Sequence, residues 1–207
     1  MLKIVKPPIK ATADPVLAIN AVDKKSGREI FKKSHISLTK PIIGISVREW
    51  REWQHYKDVL AEVADEAVTK LNAQIVFMPM QYPEDVKAAK KIVAKMKQPA
   101  CILKEDFTRE LMSLVGNMDL MIGIRLHALI FAGVMGTPMI GISYDPKIDR
   151  FLKSIDEDVV GDLENVTVEA LMQEINAKWN NKEIYRNQNL KRMAKLRSLA
   201  RSNAEMA

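Results

Sequence analysis

From Pro41 onward the chain alternates short apolar runs with longer segments whose apolar residues recur at helical spacing. Ile42 to Val47, Gln74 to Pro79, Ala100 to Leu103, Asp119 to Ile122 and Met139 to Ile142 read as strands. Between them, Trp53 to Asn72 repeats Val59, Leu60, Val63, Ala67 and Leu71 on a helical stripe, and Pro83 to Lys97 carries a proline near its start. Phe107 to Asn117, Leu126 to Met135 and the stretch from Asp145–Pro146 to about Ser154 supply further helices. Strands separated by helix-length crossovers must pair parallel, and right-handed crossovers then place helices on both faces. The predicted fold class is α/β, a Rossmann-like parallel sheet covered by helices on both sides.

The two ends of the 207-residue chain fit this pattern less well. Residues 1–40 show one strand-like piece, Val16 to Ile19, after Asp14–Pro15, then a hydrophilic stretch from Asp23 to Lys33. They read as the remnant of a preceding domain followed by a linker. Residues 41–178 form the Rossmann-like domain, and residues 179–207 a basic C-terminal helix with Tyr185, Leu190, Met193, Leu196 and Leu199 along it. Charge follows the same division. Residues 1–40 hold nine Lys/Arg against three Asp/Glu, and residues 186–207 hold six against one, whereas 41–185 hold 17 against 22. A nucleic-acid binder concentrates cations on its reading surface, so no nucleic-acid partner is expected.

A single cysteine, Cys101, cannot form an internal disulfide and points to a reducing compartment. The longest apolar run, Leu126 to Val134, is too short to cross a bilayer, and residues 1–20 lack a signal-peptide core. A cytoplasmic location is expected. The basic helix could also meet the inner face of the membrane, although internal packing is the simpler use for its apolar positions.

In an open parallel sheet, ligands bind beyond the carboxyl ends of the strands. The first strand is followed by Arg48, the second by Gln81 and then Asp85, the fourth by Gly123-Ile-Arg125-Leu-His127, and the fifth by Ser143-Tyr-Asp-Pro-Lys147. Arg125 and His127 also fall at a helix N-terminus, where free amides and the helix dipole favour an anion. Arg presents a flat donor fork to carboxylate or phosphate, Lys a point charge, and His a group that exchanges protons near neutral pH. A small, doubly anionic substrate with an acid-catalysed step suits the set. Each residue alone has a plainer reading: isolated cations after strands are ordinarily solvated, and a lone histidine opening an apolar helix is ordinarily structural.

Other signatures are missing. The chain has no G-x-G-x-x-G, no P-loop, no G-x-S-x-G elbow, no C-x-x-C and no H-E-x-x-H, so no metal site is expected. His35 and His55 receive no role, Trp50 and Trp53 flank a site-facing loop although core packing explains them as well, and the twelve methionines read as core fillers.

The run Asp119-Leu-Met-Ile-Gly-Ile-Arg-Leu-His-Ala-Leu-Ile-Phe-Ala, with Gly136-Thr-Pro and Gly141-Ile-Ser-Tyr-Asp-Pro-Lys-Ile-Asp, resembles the polysaccharide pyruvyltransferases of the CsaB type. Ala13-Asp14-Pro15, Gly44-Ile-Ser-Val-Arg48 and Phe77-Met-Pro-Met-Gln81 add to the resemblance. It implies a GT-B-like fold of two Rossmann-type domains, of which this chain would be the C-terminal one. It also implies transfer of pyruvyl from phosphoenolpyruvate, the donor substrate, to two hydroxyls of a sugar as a cyclic ketal, with no cofactor. The implied acceptor is similar to an N-acetylmannosamine unit of a lipid-linked cell-wall polysaccharide precursor, whose pyruvylated polymer anchors S-layer proteins. Arg125 and His127 match the family's phosphoenolpyruvate-binding motif, Lys147 its lysine and Arg48 its arginine; Gln81 joins the substrate-binding set, and His127 is the expected catalytic acid.

Members of the family are about twice this length. The resemblance therefore implies that acceptor-side groups lie on an N-terminal half outside this chain, which a separate half-protein would supply, and that exposed apolar surface favours homo-oligomers. Two other readings remain open. One is a GT-B glycosyltransferase domain that binds a nucleotide sugar; the other is a non-catalytic module that captures an anion or docks a partner.

Overall fold

The computed structural model describes residues 14–104 and 107–205. Ala13, with the rest of positions 1–13, and the last two positions of the basic helix lie outside the described residues. In chain order the elements are a short 3-10 turn (Pro15–Ala18), α1 (Lys25–Lys33), β1 (Ile42–Ser46), α2 (His55–Leu71), β2 (Gln74–Phe77), α3 (Glu84–Val93), β3 (Ala100–Ile102) and α4 (Thr108–Gly116). They continue as β4 (Leu120–Gly123), α5 (Leu126–Met135), β5 (Met139–Ser143), α6 (Pro146–Ser154), β6 (Val159–Asp162), α7 (Val168–Asn180) and α8 (Lys182–Glu205).

The six strands form one sheet in the order β3-β2-β1-β4-β5-β6, and all pairs are parallel. Every residue of β1, β4 and β5 is buried, as a strand covered on both faces requires. One face packs Ile43, Ile45, Phe77 and Ile122 against α2, α3 and α7. The other packs Ile42, Val76, Met121 and Met139 against α4, α5, α6 and α8. The order reverses between β1 and β4, which creates the switch point where sheets of this kind bind ligands.

Three differences from the sequence reading have physical causes. The strand read over Val16 to Ile19 is a 3-10 turn, because the Asp14 carboxylate accepts the Val16 N–H at 2.9 Å and Pro15 starts the turn. The hydrophilic stretch read as linker contains α1, whose buried Phe31 and Gly27 pack against α4. A Cβ on Gly27 would stand 2.5 Å from the Ser113 backbone, so only glycine permits this approach. Mean polarity concealed that single buried face. Finally, β6 and α7 had no counterpart in the sequence reading. The strand is short and only partly buried, and the Asp156–Asp158 acidic run obscures its start.

The basic α8 buries Met193, Leu196 and Ala200 within this domain, against the 3-10 turn and α5. Polar ties fix it along its length: Lys182 to Asp119 at 2.7 Å, the Asn189 amide to the Thr137 carbonyl at 3.1 Å, and Arg201 to Asn20 at 3.0 Å. Internal packing thus uses part of the apolar stripe, while Leu190 and Leu199 stay exposed. No helix among the described residues is long and apolar enough to cross a membrane.

Candidate functional site

The register sets the site. Ser46 pairs with Gly123, and the Ile124 N–H donates to the Ser46 carbonyl at 2.9 Å. Arg48 and Arg125 each lie two residues beyond that pair on neighbouring strands, but their side chains part there, Arg125 towards Gln81 and Asp85 after β2 and Arg48 towards Tyr144 after β5. Arg125 occupies the N-cap of α5 in an extended conformation, and no side chain caps the helix. The Ala128 amide donates to the Arg125 carbonyl at 3.1 Å, so the Leu126 and His127 amides are those left to a ligand or to water. At the far end Gly136 closes α5 in the left-handed conformation (φ 75°).

Arg125 is held from below. Its Nε donates to Asp85 Oδ2 at 3.0 Å, one Nη2 proton goes to Asp85 Oδ1, and Nη2 also donates to Gln81 Oε1 at 3.0 Å. Asp85 is fully buried and accepts the Met80 and Gln81 amides as well, at 3.0 and 2.9 Å. Three of the five guanidinium protons are thereby committed, and the two on Nη1 remain for a ligand. The structure thus brings together Arg125, Gln81 and Asp85, and leaves their net charge near zero.

A second cluster surrounds Tyr144. The Arg48 Nη1 donates to the Tyr144 hydroxyl at 2.6 Å, and its guanidinium lies 4.9 Å from the Tyr144 centroid and 5.1 Å from that of Trp50. Trp50 and Tyr144 are themselves 4.9 Å apart, and the Lys147 Nζ is 5.2 Å from the Tyr144 ring. Asp145 caps α6 by accepting the Lys147 N–H at 3.0 Å, and its other oxygen lies 3.8 Å from Lys147 Nζ. The structure therefore gathers Arg48, Tyr144 and Lys147 around one aromatic ring. The Lys147 stem also borders an apolar cleft of about 460 Å³ with Leu126, Phe151 and Leu199.

His127 is exposed on the first turn of α5, with its ring centroid 6.5 Å from that of Phe131. Among the described residues none hydrogen-bonds its imidazole. It is accessible to a ligand seated on the α5 amides.

The loop that carries Arg48 is anchored by groups the sequence reading did not assign. Tyr56, fully buried, donates its hydroxyl to the Arg48 carbonyl at 2.6 Å. Burial, followed by the charges of Glu49 and Asp85, raises the pKa of that phenol above its usual value. Glu49 accepts Lys57 at 2.5 Å and Lys91 at 2.9 Å, and Lys57 is completely buried. Burial alone would raise the Glu49 carboxyl, but the two lysine hydrogen bonds outweigh it and hold the pKa below the usual range. Between these anchors, Arg51 and Glu52 take left-handed backbone angles (φ 45° and 55°), a costly conformation for non-glycine residues. Ser46, at the end of β1, is fully buried and its hydroxyl has no partner among the described residues.

A cavity of about 550 Å³ between α2 and the turn after α3 lies away from the strand ends. Four of its charged groups pair with one another, Lys95 with Asp58 and Lys70 with Glu66, and Asp65 accepts the Lys97 and Gln98 amides. Among the described residues no group of three or more His, Cys, Asp or Glu is placed to hold a metal ion.

The sequence model of the polysaccharide pyruvyl transferase family matches residues 2–146, well over half of the chain. The chain belongs to that family. The matched segment includes Arg48, Gln81, Asp85, Arg125 and His127 and stops one residue before Lys147. No curated protein sequence matches. Among solved structures, the UDP-GlcNAc 2-epimerase from Neisseria meningitidis bound to UDP-GlcNAc is similar with a TM-score of 0.64 and 11% identity, covering 94% of this chain and 54% of its own. The ADP-heptose lipopolysaccharide heptosyltransferase II of E. coli gives 0.61 and 16%, covering 78% and 53%. A family 9 glycosyl transferase from Veillonella parvula gives 0.60 and 15%, covering 76% and 51%. This member of the polysaccharide pyruvyl transferase family thus has the parallel α/β fold of GT-B glycosyltransferases and spans about half the length of these structures.

Proposed function

We propose that this chain is the phosphoenolpyruvate-binding half of a polysaccharide pyruvyltransferase, acting with an N-terminal half on a sugar of a cell-wall polysaccharide precursor. The observation that carries the proposal is the register at the switch point, from which the Arg48 loop and the Arg125–His127 segment leave neighbouring strands, the latter on an uncapped helix N-terminus. Two arginines, Lys147 and open amides complement a ligand with both a phosphate and a carboxylate.

In this reading the Nη1 protons of Arg125 and the α5 amides hold one anionic group, and Arg48 with Lys147 holds the other. His127 gives a proton to the donor's methylene carbon, and C2 becomes an oxocarbenium-type centre. The first sugar hydroxyl adds to C2 and returns its proton to His127. Phosphate then leaves as the second hydroxyl adds, taking up that hydroxyl's proton, so that ketal and inorganic phosphate account for every atom. The fixed cations stabilise the departing phosphate without reorganising. The acceptor would be an N-acetylmannosamine-type unit on a lipid carrier, handled in the cytoplasm at the inner face of the membrane, and the product would serve S-layer anchoring.

Calorimetric titration of the purified chain with phosphoenolpyruvate tests this directly, with inorganic phosphate and UDP-N-acetylglucosamine alongside. Selective phosphoenolpyruvate binding that disappears in Arg125→Ala is the expected result. Tighter binding of the nucleotide sugar would instead assign the site to glycosyl transfer, as the fold allows. With the N-terminal half added, His127→Gln should abolish turnover while leaving donor affinity within a few-fold; full turnover at saturating donor would remove His127 from the acid role.

A further inference from the structure

Beside the cationic cluster, the loops after β5 and β6 enclose a concavity of about 270 Å³ with a different character. Its lining includes Trp53 from the β1–α2 connection and Tyr144 from the end of β5, two residues with aromatic rings. Around these rings stand Asp145, Asp149, Asp162 and Glu164, and the lining includes no cation.

From this composition we infer a subsite for a neutral, hydroxyl-rich ring, a sugar of the acceptor glycan, bound against Trp53 and Tyr144. The inference rests on the donor reading above and extends it by placing acceptor recognition on this half of the enzyme. Asp145 faces Lys147, but Asp149, Asp162 and Glu164 have no cationic partner among the described residues, so an anion seated against those three would be repelled. The C–H face of a pyranose suits the flat apolar indole, and its hydroxyls are donors to carboxylate oxygens.

Asp145 is engaged at both oxygens, one by the Lys147 amide and the other by Lys147 Nζ at 3.8 Å. Asp149 accepts the Ser143 hydroxyl at 2.5 Å and has no cation beside it among the described residues. The Asn165 side chain, then the Glu164 and Asn165 amides, keep the Asp162 carboxyl below its usual pKa, so it stays an acceptor. Among the described residues none bonds the Glu164 carboxylate, which is exposed at the rim. Tyr144 belongs to both subsites, since its hydroxyl receives Arg48 while its ring lines the concavity. A sugar seated there lies next to the donor cations, as transfer between the two requires.

The test is saturation-transfer NMR and calorimetry on the full chain with N-acetylmannosamine, and with sorbitol as a polyol lacking a ring. Each sugar titration is paired with one of phosphoenolpyruvate. The expected result is sugar binding without sorbitol binding, weakened about tenfold in both Trp53→Ala and Glu164→Gln, with phosphoenolpyruvate affinity within about twofold of the parent. Glu164→Gln is an exposed change, so a folding defect in the Trp53 variant does not decide the matter. Phosphoenolpyruvate binding without sugar binding, or sugar binding that neither variant alters, overturns this inference and leaves the donor reading intact. Sugar binding that both variants weaken, in a chain that ignores phosphoenolpyruvate, keeps the subsite and overturns the donor reading.

Discussion

Asp85 grips Arg125 through both carboxylate oxygens, and it does so from a position with no solvent exposure. A buried carboxylate facing a guanidinium is stable only while both partners remain. The pair therefore works as a mount: it fixes the plane of the guanidinium and leaves Nη1 as the part that can meet a ligand.

Asp85→Ala should lower the stability of the domain by about 3 kcal/mol, because it strands Arg125 and removes the acceptor for the Met80 and Gln81 amides. Urea unfolding followed by circular dichroism measures this. An effect below about 1 kcal/mol, the size of an exposed ion pair, would mean that the pair is not buried in solution.

Tyr144→Phe keeps the ring and removes the hydroxyl that receives Arg48. Affinity for phosphoenolpyruvate is expected to fall about fivefold, with little change in melting temperature, since one partly exposed hydrogen bond is lost. Calorimetry beside a thermal melt separates the two quantities.

Glu49 makes stability depend on acid. Its folded pKa is depressed, so its contribution is present above the unfolded value of about 4.3 and is lost as pH falls through the lower folded value. Melting temperature against pH should therefore drop below about pH 4.3 in the parent, and less steeply in Glu49→Gln. Identical acid limbs in the two proteins would show that the Lys57 and Lys91 contacts do not hold.

Ser46 carries a buried hydroxyl without a partner among the described residues. Replacing it with alanine removes a desolvated polar group at little cost in packing. Ser46→Ala is expected to raise stability by about 1 kcal/mol in the same unfolding assay.

Gly27→Ala would ordinarily favour a helix by up to about 1 kcal/mol. Here the new methyl would stand 2.5 Å from the Ser113 backbone, which α4 cannot easily move. A net loss of about 2 kcal/mol is expected, and a gain would show that α1 does not dock on α4 as described.

What the sequence alone determined was the architecture of the central part. Strands buried on both faces must be continuously apolar, and crossovers must carry a helical stripe, so β1, β2, β4, α5 and β5 were legible from periodicity. The strand-end rule located Arg48, Gln81, Arg125, His127 and Lys147 on one edge for the same reason: once the topology is parallel, every strand's carboxyl end faces the same way. The motif around Arg125 and His127 pointed to the family that residues 2–146 match.

Only tertiary structure decided what those groups face. Nothing local to Asp85 shows that it spends its charge on Arg125, forty residues away, because that contact depends on β2 and β4 flanking β1. The docking of α1 depends on one glycine meeting the Ser113 backbone, and the anchoring of α8 depends on single polar ties to Asp119, Thr137 and Asn20. Trp53 and Tyr144 lie ninety-one residues apart on different strand-end loops; they share a concavity only because β5, β6 and the β1–α2 connection end beside one another. Periodicity reports which face a residue turns inward, whereas the partner on that face is set by strands and helices distant in sequence.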